Sequence, residues 1–244
     1  MDRRYITPER VIAGRFRNEA DIPQWDVGVL CFRGAKGSRA LVEALRAAPV
    51  GRKVFWGVEE TAELPAVYAA KVEGKSVVIA TGCIWGGPQA AILVEELSAM
   101  GVKHVVGYGA AGSLDALLPQ GTQVVVGSAP AMDGTSRQYG AGPFHPAPAM
   151  VELVPSARQV TAATVDAVYR ETASLVRQWV EMGAHVVNME AAAFYAAASA
   201  CGVGAVWIGH VSDLLVGDWK DWYVDRRGMS DGTVENCLGV LRGL

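Results

Sequence analysis

The chain has 244 residues, enough for one sizeable core, and 51% of them are apolar, which excludes a disordered polymer. Its formal net charge is −3, with acidic and basic residues interspersed, so nothing favours nucleic acid or an anionic membrane as partner. The opening stretch MDRRYITPERVIAGRF lacks the apolar core of a signal peptide, and no apolar run reaches the ~20 residues of a membrane span; a single cytoplasmic domain over residues 1–244 is expected.

In chain order, Val27–Phe32 reads as a buried strand and Ser38–Ala48 as a helix opened by a capping Ser. Ser76–Thr81 is the next strand, and Pro88–Met100 a helix with Pro in its first turn. Strands follow at His104–Tyr108 and Thr122–Gly127, then Ala129–Pro155, rich in Pro and Gly, reads as a long surface loop. Gln159–Thr164 is a strand, and Thr172–Met182 a helix stopped at Gly183. His185–Met189 and Ala205–Val211 are strands around a helix at Ala191–Cys201, and a last amphipathic helix covers Thr233–Leu241. The strands are continuously apolar rather than alternating, as strands covered on both faces are. Together they predict an α/β sandwich. Cys31, Cys83, Cys201 and Cys237 include no CxxC pair, and His104, His145, His185 and His210 lack metal-ligand spacing; reduced thiols and no metal are expected.

Four segments carry candidate chemistry, and each has a plain structural reading beside the functional one. Thr81–Pro88 (TGCIWGGP) joins a strand to a helix; its glycines admit close backbone approach, as a ligand-free tight turn also would. Gly107–Leu114 (GYGAAGSL) lies at the C-terminal end of a strand, where open α/β sheets bind ligands, and reads equally as a Gly-rich turn. In Asn188–Ala193 (NMEAAA), Glu190 is either a helix-dipole partner or an acceptor for two vicinal sugar hydroxyls, with Met189 packed on the sugar. In His210–Leu214 (HVSDL), Asp213 either caps a turn or acts as a general acid toward a leaving base, which requires a proton affinity raised by burial.

In this order and spacing the four segments resemble the nucleoside phosphorylase family, which includes purine nucleoside and uridine phosphorylases and related nucleosidases. The stretches GGPQAAILVEELSAMGVKHVVGYGAAGSL, NMEAAAFYAAASACGV and HVSD carry the resemblance, and DGTSRQY (Asp133–Tyr139) and VYRET (Val168–Thr172) are similar to a uridine-phosphorylase-like branch. The resemblance implies a three-layer α/β/α sandwich with a mixed, partly barrel-like central sheet, and a homo-oligomer: dimer, trimer or hexamer. It implies cleavage of the N-glycosidic bond of a nucleoside, foremost by phosphorolysis to free base and pentose 1-phosphate. No cofactor is implied, inorganic phosphate serving as co-substrate. By the same resemblance Met189 and Glu190 contact ribose, Asp213 assists the leaving purine, and Trp85 lines the sugar pocket. Gly109 and Ser212 fall among the substrate contacts, and Arg170 faces a base carbonyl or makes a surface ion pair.

The chain departs from the family at the anion site. Where phosphorylases place a phosphate-holding Arg and a Ser or Thr, it has Gly107 and Ala110. Its N-terminal phosphate loop is Phe32 to Arg39, whose Arg33, Lys36 and Arg39 are candidate phosphate donors or plain solvated charges. Two alternatives therefore stand beside phosphorolysis. One is a nucleosidase using water, for which Glu9 and Asp26 are the candidate activating acids; the other is a non-catalytic nucleoside-binding protein. Gly217–Arg227, with two Trp and a Tyr, reads as a lid or interface or equally as a packed surface segment, and its Arg226 or Arg227 is a candidate partner for Asp213.

Overall fold

Nine strands form one continuous sheet that closes on itself at one end. The computed structural model describes residues 4–59, 65–83, 86–216 and 229–244. Its elements in chain order are α1 (Pro8–Ala13), β1 (Val27–Cys31), α2 (Ala35–Ala44), β2 (Ala48–Pro49), β3 (Val67–Val72), β4 (Lys75–Ala80), α3 (Gly86–Ala99) and β5 (His104–Ser113). There follow β6 (Gln123–Ser128), α4 (Pro148–Val151), β7 (Arg158–Thr164), α5 (Ala173–Glu181), β8 (Val186–Asn188), α6 (Ala191–Cys201), β9 (Gly204–Leu214) and α7 (Met229–Gly243). The strand order is β2-β3-β4-β1-β5-β8-β7-β6-β9, and β9 pairs again with β5. Strands β5, β8, β7, β6 and β9 thus close a five-stranded barrel, while β2, β3, β4 and β1 extend from β5 as an open sheet. This is the mixed, partly barrel-like sheet that the resemblance implied.

Side-chain alternation along the sheet separates two helical layers. In β1, Leu30 faces a core shared with α3 and α6, whereas Val27, Val29 and Cys31 face one shared with α2 and α7. Every residue of β1 is buried, which accounts for its uninterrupted apolar run. The helix α6 (AAAFYAAASAC) is buried from Ala191 to Ala198. Its small side chains let α3 approach closely: a Cβ on Gly87 would lie 2.9 Å from that of Ala193. The N-termini of α3 and α6 are thereby brought side by side.

Several boundaries differ from expectation. Helix α2 ends at Ala44, because Arg46 turns into the left-handed region (φ 49°) and the chain enters β2 at Ala48. The segment Gly107–Leu114 is not a turn, since β5 runs on to Ser113, paired on both sides by β8 and β9. Elements α1, β2 and β3 were not expected; β3 (VYAAKV) forms a hairpin with β4 around Glu73 and Gly74, both at positive φ. The stretch 129–155 is not a surface loop throughout. It contains an Ala129–Phe144 bridge, a 3-10 turn at Ser136–Gln138 and α4, and it buries Asp133 and Ser136.

Candidate active site

The site begins with β5, whose far end is flanked by β8 on one side and β9 on the other. Gly112 pairs with Val187 of β8 and with Asp213 of β9. The β5–β9 register shifts there: Ala111 faces Val211 and Gly112 faces Asp213, so Ser212 is an extra residue. Such a bulge re-aims the side chains beside it. Ser212 and Asp213 both line a cavity of about 540 Å³, together with Ala110, Gly112, Val187 and Glu171. The Ser212 hydroxyl donates to Asp213 Oδ1 at 2.6 Å and approaches the Ala111 carbonyl at 3.3 Å.

Opposite Asp213, Glu171 enters the cavity from the 3-10 turn Val168–Arg170 that leads into α5. Burial against the apolar walls, reinforced by the charge of Asp213, pushes its carboxyl up to about 7. Sequence reasoning missed Glu171. It had singled out the neighbouring Arg170, which is exposed and does not line the cavity.

Glu190 occupies the cap position of α6 without acting as its cap. The first helical N–H groups are satisfied otherwise: Asn188 Oδ1 accepts from Ala191 N at 3.3 Å and Thr164 Oγ1 from Ala192 N at 3.1 Å. Asn188 Oδ1 also accepts from the Thr164 hydroxyl at 3.0 Å, locking both acceptors. The Glu190 carboxylate is thus free of capping, which removes the helix-dipole reading as a sufficient reason for its presence. It is buried and accepts a 3.4 Å hydrogen bond from Gly86 N, delivered by the close packing of α3 on α6. Burial pushes it up to about 8, opposed by backbone N–H contacts from Gly86 and Met189.

The expected residues do not all share one hollow. Asp213 and Ser212 line the cavity; Glu190 does not, and Met189, half-buried, lies beside Glu190. Val187 and Asp213 stand either side of Gly112 on the strands flanking β5, and Glu190 follows Val187 by three residues. Gly109 does not line the cavity. Trp85, Arg226 and Arg227, with the rest of Gly217–Arg227, lie outside the described residues.

The candidate anion donors sit at the start of α2, beyond the C-terminal end of β1. Gly34 is its N-cap, with no side-chain cap. Arg33 is half-buried and folds over Gly37, while Lys36 and Arg39 are exposed. Of the acids considered for activating water, Glu9 is exposed on α1. Asp26 precedes β1 at the opposite end of the strand, where it accepts from Ser76 N and Oγ at 2.7 Å each. Asp26 cannot reach this end of the sheet.

Comparison with known proteins fixes the family. The model of the phosphorylase superfamily matches residues 37–228. The chain belongs to the phosphorylase superfamily. A guanosine phosphorylase of Halorubrum lacusprofundi is 33% identical over 157 residues, which cover 60% of this chain and 65% of that protein. A DeoD-type purine nucleoside phosphorylase of Alkaliphilus metalliredigens is 27% identical over 211 residues, covering 80% of this chain and 90% of that one. A uridine phosphorylase of Vibrio fischeri superposes with a TM-score of 0.73 at 20% identity, over 93% of both chains.

Within this superfamily fold, the space beside Gly107 is filled in an unexpected way. The Trp207 indole lies across three glycines of β5 and β9. A Cβ at Gly107 would fall 2.7 Å from Trp207 Cδ1, one at Gly109 2.4 Å from Cζ2, and one at Gly209 2.7 Å from its ring. Phe32 closes the far side, 3.2 Å from the same Gly107 position. Trp207 is fully buried, and its Nε1 has no hydrogen-bond partner among the described residues. Any side chain at position 107 would run into Trp207 and Phe32.

Proposed function

We propose that this chain cleaves the N-glycosidic bond of a nucleoside, with phosphate as the acceptor of the pentose. The observation that carries the reading is the placement of two carboxylates about β5, one relieved of helix capping and one turned into a cavity by a bulge. Glu190, whose burial raises its carboxyl to about 8, hydrogen-bonds the sugar hydroxyls, accepting from one and, while protonated, donating to the other. Asp213 faces the heterocycle and takes part in the proton transfer that lets it leave. As the C1′–N bond breaks, its electron pair passes to the base and the sugar develops oxocarbenium character, the electronic problem common to glycoside cleavage. Phosphate would reach the sugar from the start of α2, where free N–H groups and Arg33 supply positive potential. Family membership and the named relatives support this class of reaction.

A second reading, hydrolysis, is favoured by one observation: the indole of Trp207 and the ring of Phe32 fill the side-chain space at Gly107. Losing a charge-assisted contact of that kind costs roughly 1.5–3 kcal/mol of anion binding. A base-release screen over purine and pyrimidine nucleosides, with and without phosphate, tests both readings. Release that requires phosphate supports the proposal, and equal release without it transfers the reaction to water. Calorimetric binding of nucleosides with no product from any of them would make the chain a binding protein and overturn both.

A further inference from the structure

We propose that Glu171, and not Asp213, is the residue that delivers the proton to the departing base, Asp213 lining the same cavity as a hydrogen-bond acceptor. This rests on the proposed nucleoside cleavage and adds which carboxyl acts as the acid. The cavity walls around the pair are apolar: β5 contributes Ala110, Ala111 and Gly112, β8 contributes Val187, and α5 contributes Ala173 and Val176. Among the described residues, the titratable groups near Glu171 are Asp213 from β9 and, on its own turn, the exposed Tyr169 and Arg170. The two carboxyls differ in what surrounds them. Asp213 accepts the Ser212 hydroxyl at 2.6 Å. No described side chain or amide donates to the Glu171 carboxyl, which faces a like charge from a partly dry wall. Ionising both would place two anions in one largely apolar hollow. The proton therefore resides on Glu171 near neutral pH, its affinity standing at about 7. A carboxyl whose surroundings raise its proton affinity serves as an acid in this way.

The step balances simply. As an oxygen of phosphate bonds to C1′, the C1′–N9 bond of a purine nucleoside breaks and its electron pair enters the ring; the Glu171 O–H proton moves to ring nitrogen N7, giving the neutral base and pentose 1-phosphate. Glu171 is left as a carboxylate and recovers its proton from solvent. Asp213 accepts a hydrogen bond from N7–H once it has formed.

The test compares guanosine with 7-methylguanosine, whose base already carries a positive charge at N7 and leaves without a proton. For Glu171→Gln, kcat on guanosine falls at least about tenfold, while kcat on 7-methylguanosine stays within about threefold of wild type. Wild-type turnover of guanosine declines as pH rises through about 7, where Glu171 gives up its proton, and turnover of 7-methylguanosine does not. This second comparison uses only the wild-type chain and stands even if the variant does not fold. Equal losses on both substrates, or no loss on guanosine, overturn the assignment while leaving nucleoside cleavage intact. Absence of base release from every nucleoside by wild type removes the proposed function, and the assignment with it.

Discussion

The two halves of β5 look alike in sequence and do opposite things. Near its middle, Gly107 and Gly109 lie under the Trp207 indole in a sealed, dry niche. A few residues on, Ala110 to Gly112 lie open to the cavity that holds Glu171 and Asp213. In the first half the missing side chains make room for one large ring; in the second they leave a cavity. A glycine-rich strand is therefore no sign of a ligand until its opposite wall is known, and here that wall belongs to β9. The bulge at Ser212 marks the transition between the halves.

Three substitutions probe this contrast, in decreasing order of expected effect. Trp207→Ala empties the sealed half, and loss of a fully buried tryptophan costs ~3–5 kcal/mol, read as a lowered denaturation midpoint. A cost below about 1 kcal/mol would show that the niche is not tightly packed. Gly109→Ala inserts a methyl group where 2.4 Å separates its Cβ from the ring, and overpacking of this kind costs ~1–3 kcal/mol. A neutral result would show that the indole moves aside easily, reopening the space beside Gly107 to an anion.

Glu190→Gln addresses the open side through pH. Folding raises the Glu190 carboxyl from 4.5 to about 8. Below its unfolded value both states hold the proton and stability is intact. As pH rises toward 8 the unfolded chain ionises while the folded one resists, so wild type loses stability over that window. The Gln variant escapes this loss. Its melting temperature is expected to match wild type near pH 4.5 and to exceed it increasingly up to pH 8. Parallel curves across that range would mean that Glu190 is solvated and ionised in the folded chain.

The outline of the fold is legible in the sequence because β1, β4, β6 and β9 are dense in Val, Ile and Leu and are covered on both faces. β3 escapes notice because VYAAKV is only half-buried and its Ala and Lys break the strand signal. The far half of β5 escapes because Gly-Ala-Ala-Gly has a turn's composition; only pairing with both β8 and β9 makes it a strand. Such pairing is a long-range property that local propensity does not encode. Glu190 and Asp213 stand out through recognisable segments. Glu171 does not, because a carboxylate beside an arginine in VYRET looks like ordinary surface. What buries it is the cavity wall built by β9, some forty residues later in the chain. Trp207 likewise reads as a core residue in an apolar strand, and its part in closing the space at Gly107 depends on register between strands far apart in sequence.

The central claim is that the cavity beside Asp213 holds the base of a nucleoside while its bond to the sugar breaks. The most direct test is steady-state base release from guanosine by Asp213→Asn, with its thermal midpoint recorded alongside. A drop in kcat of at least about tenfold at an unchanged midpoint is the expected result. A variant that turns over as fast as wild type would contradict the account, since no other residue on β9 brings a carboxylate to the base.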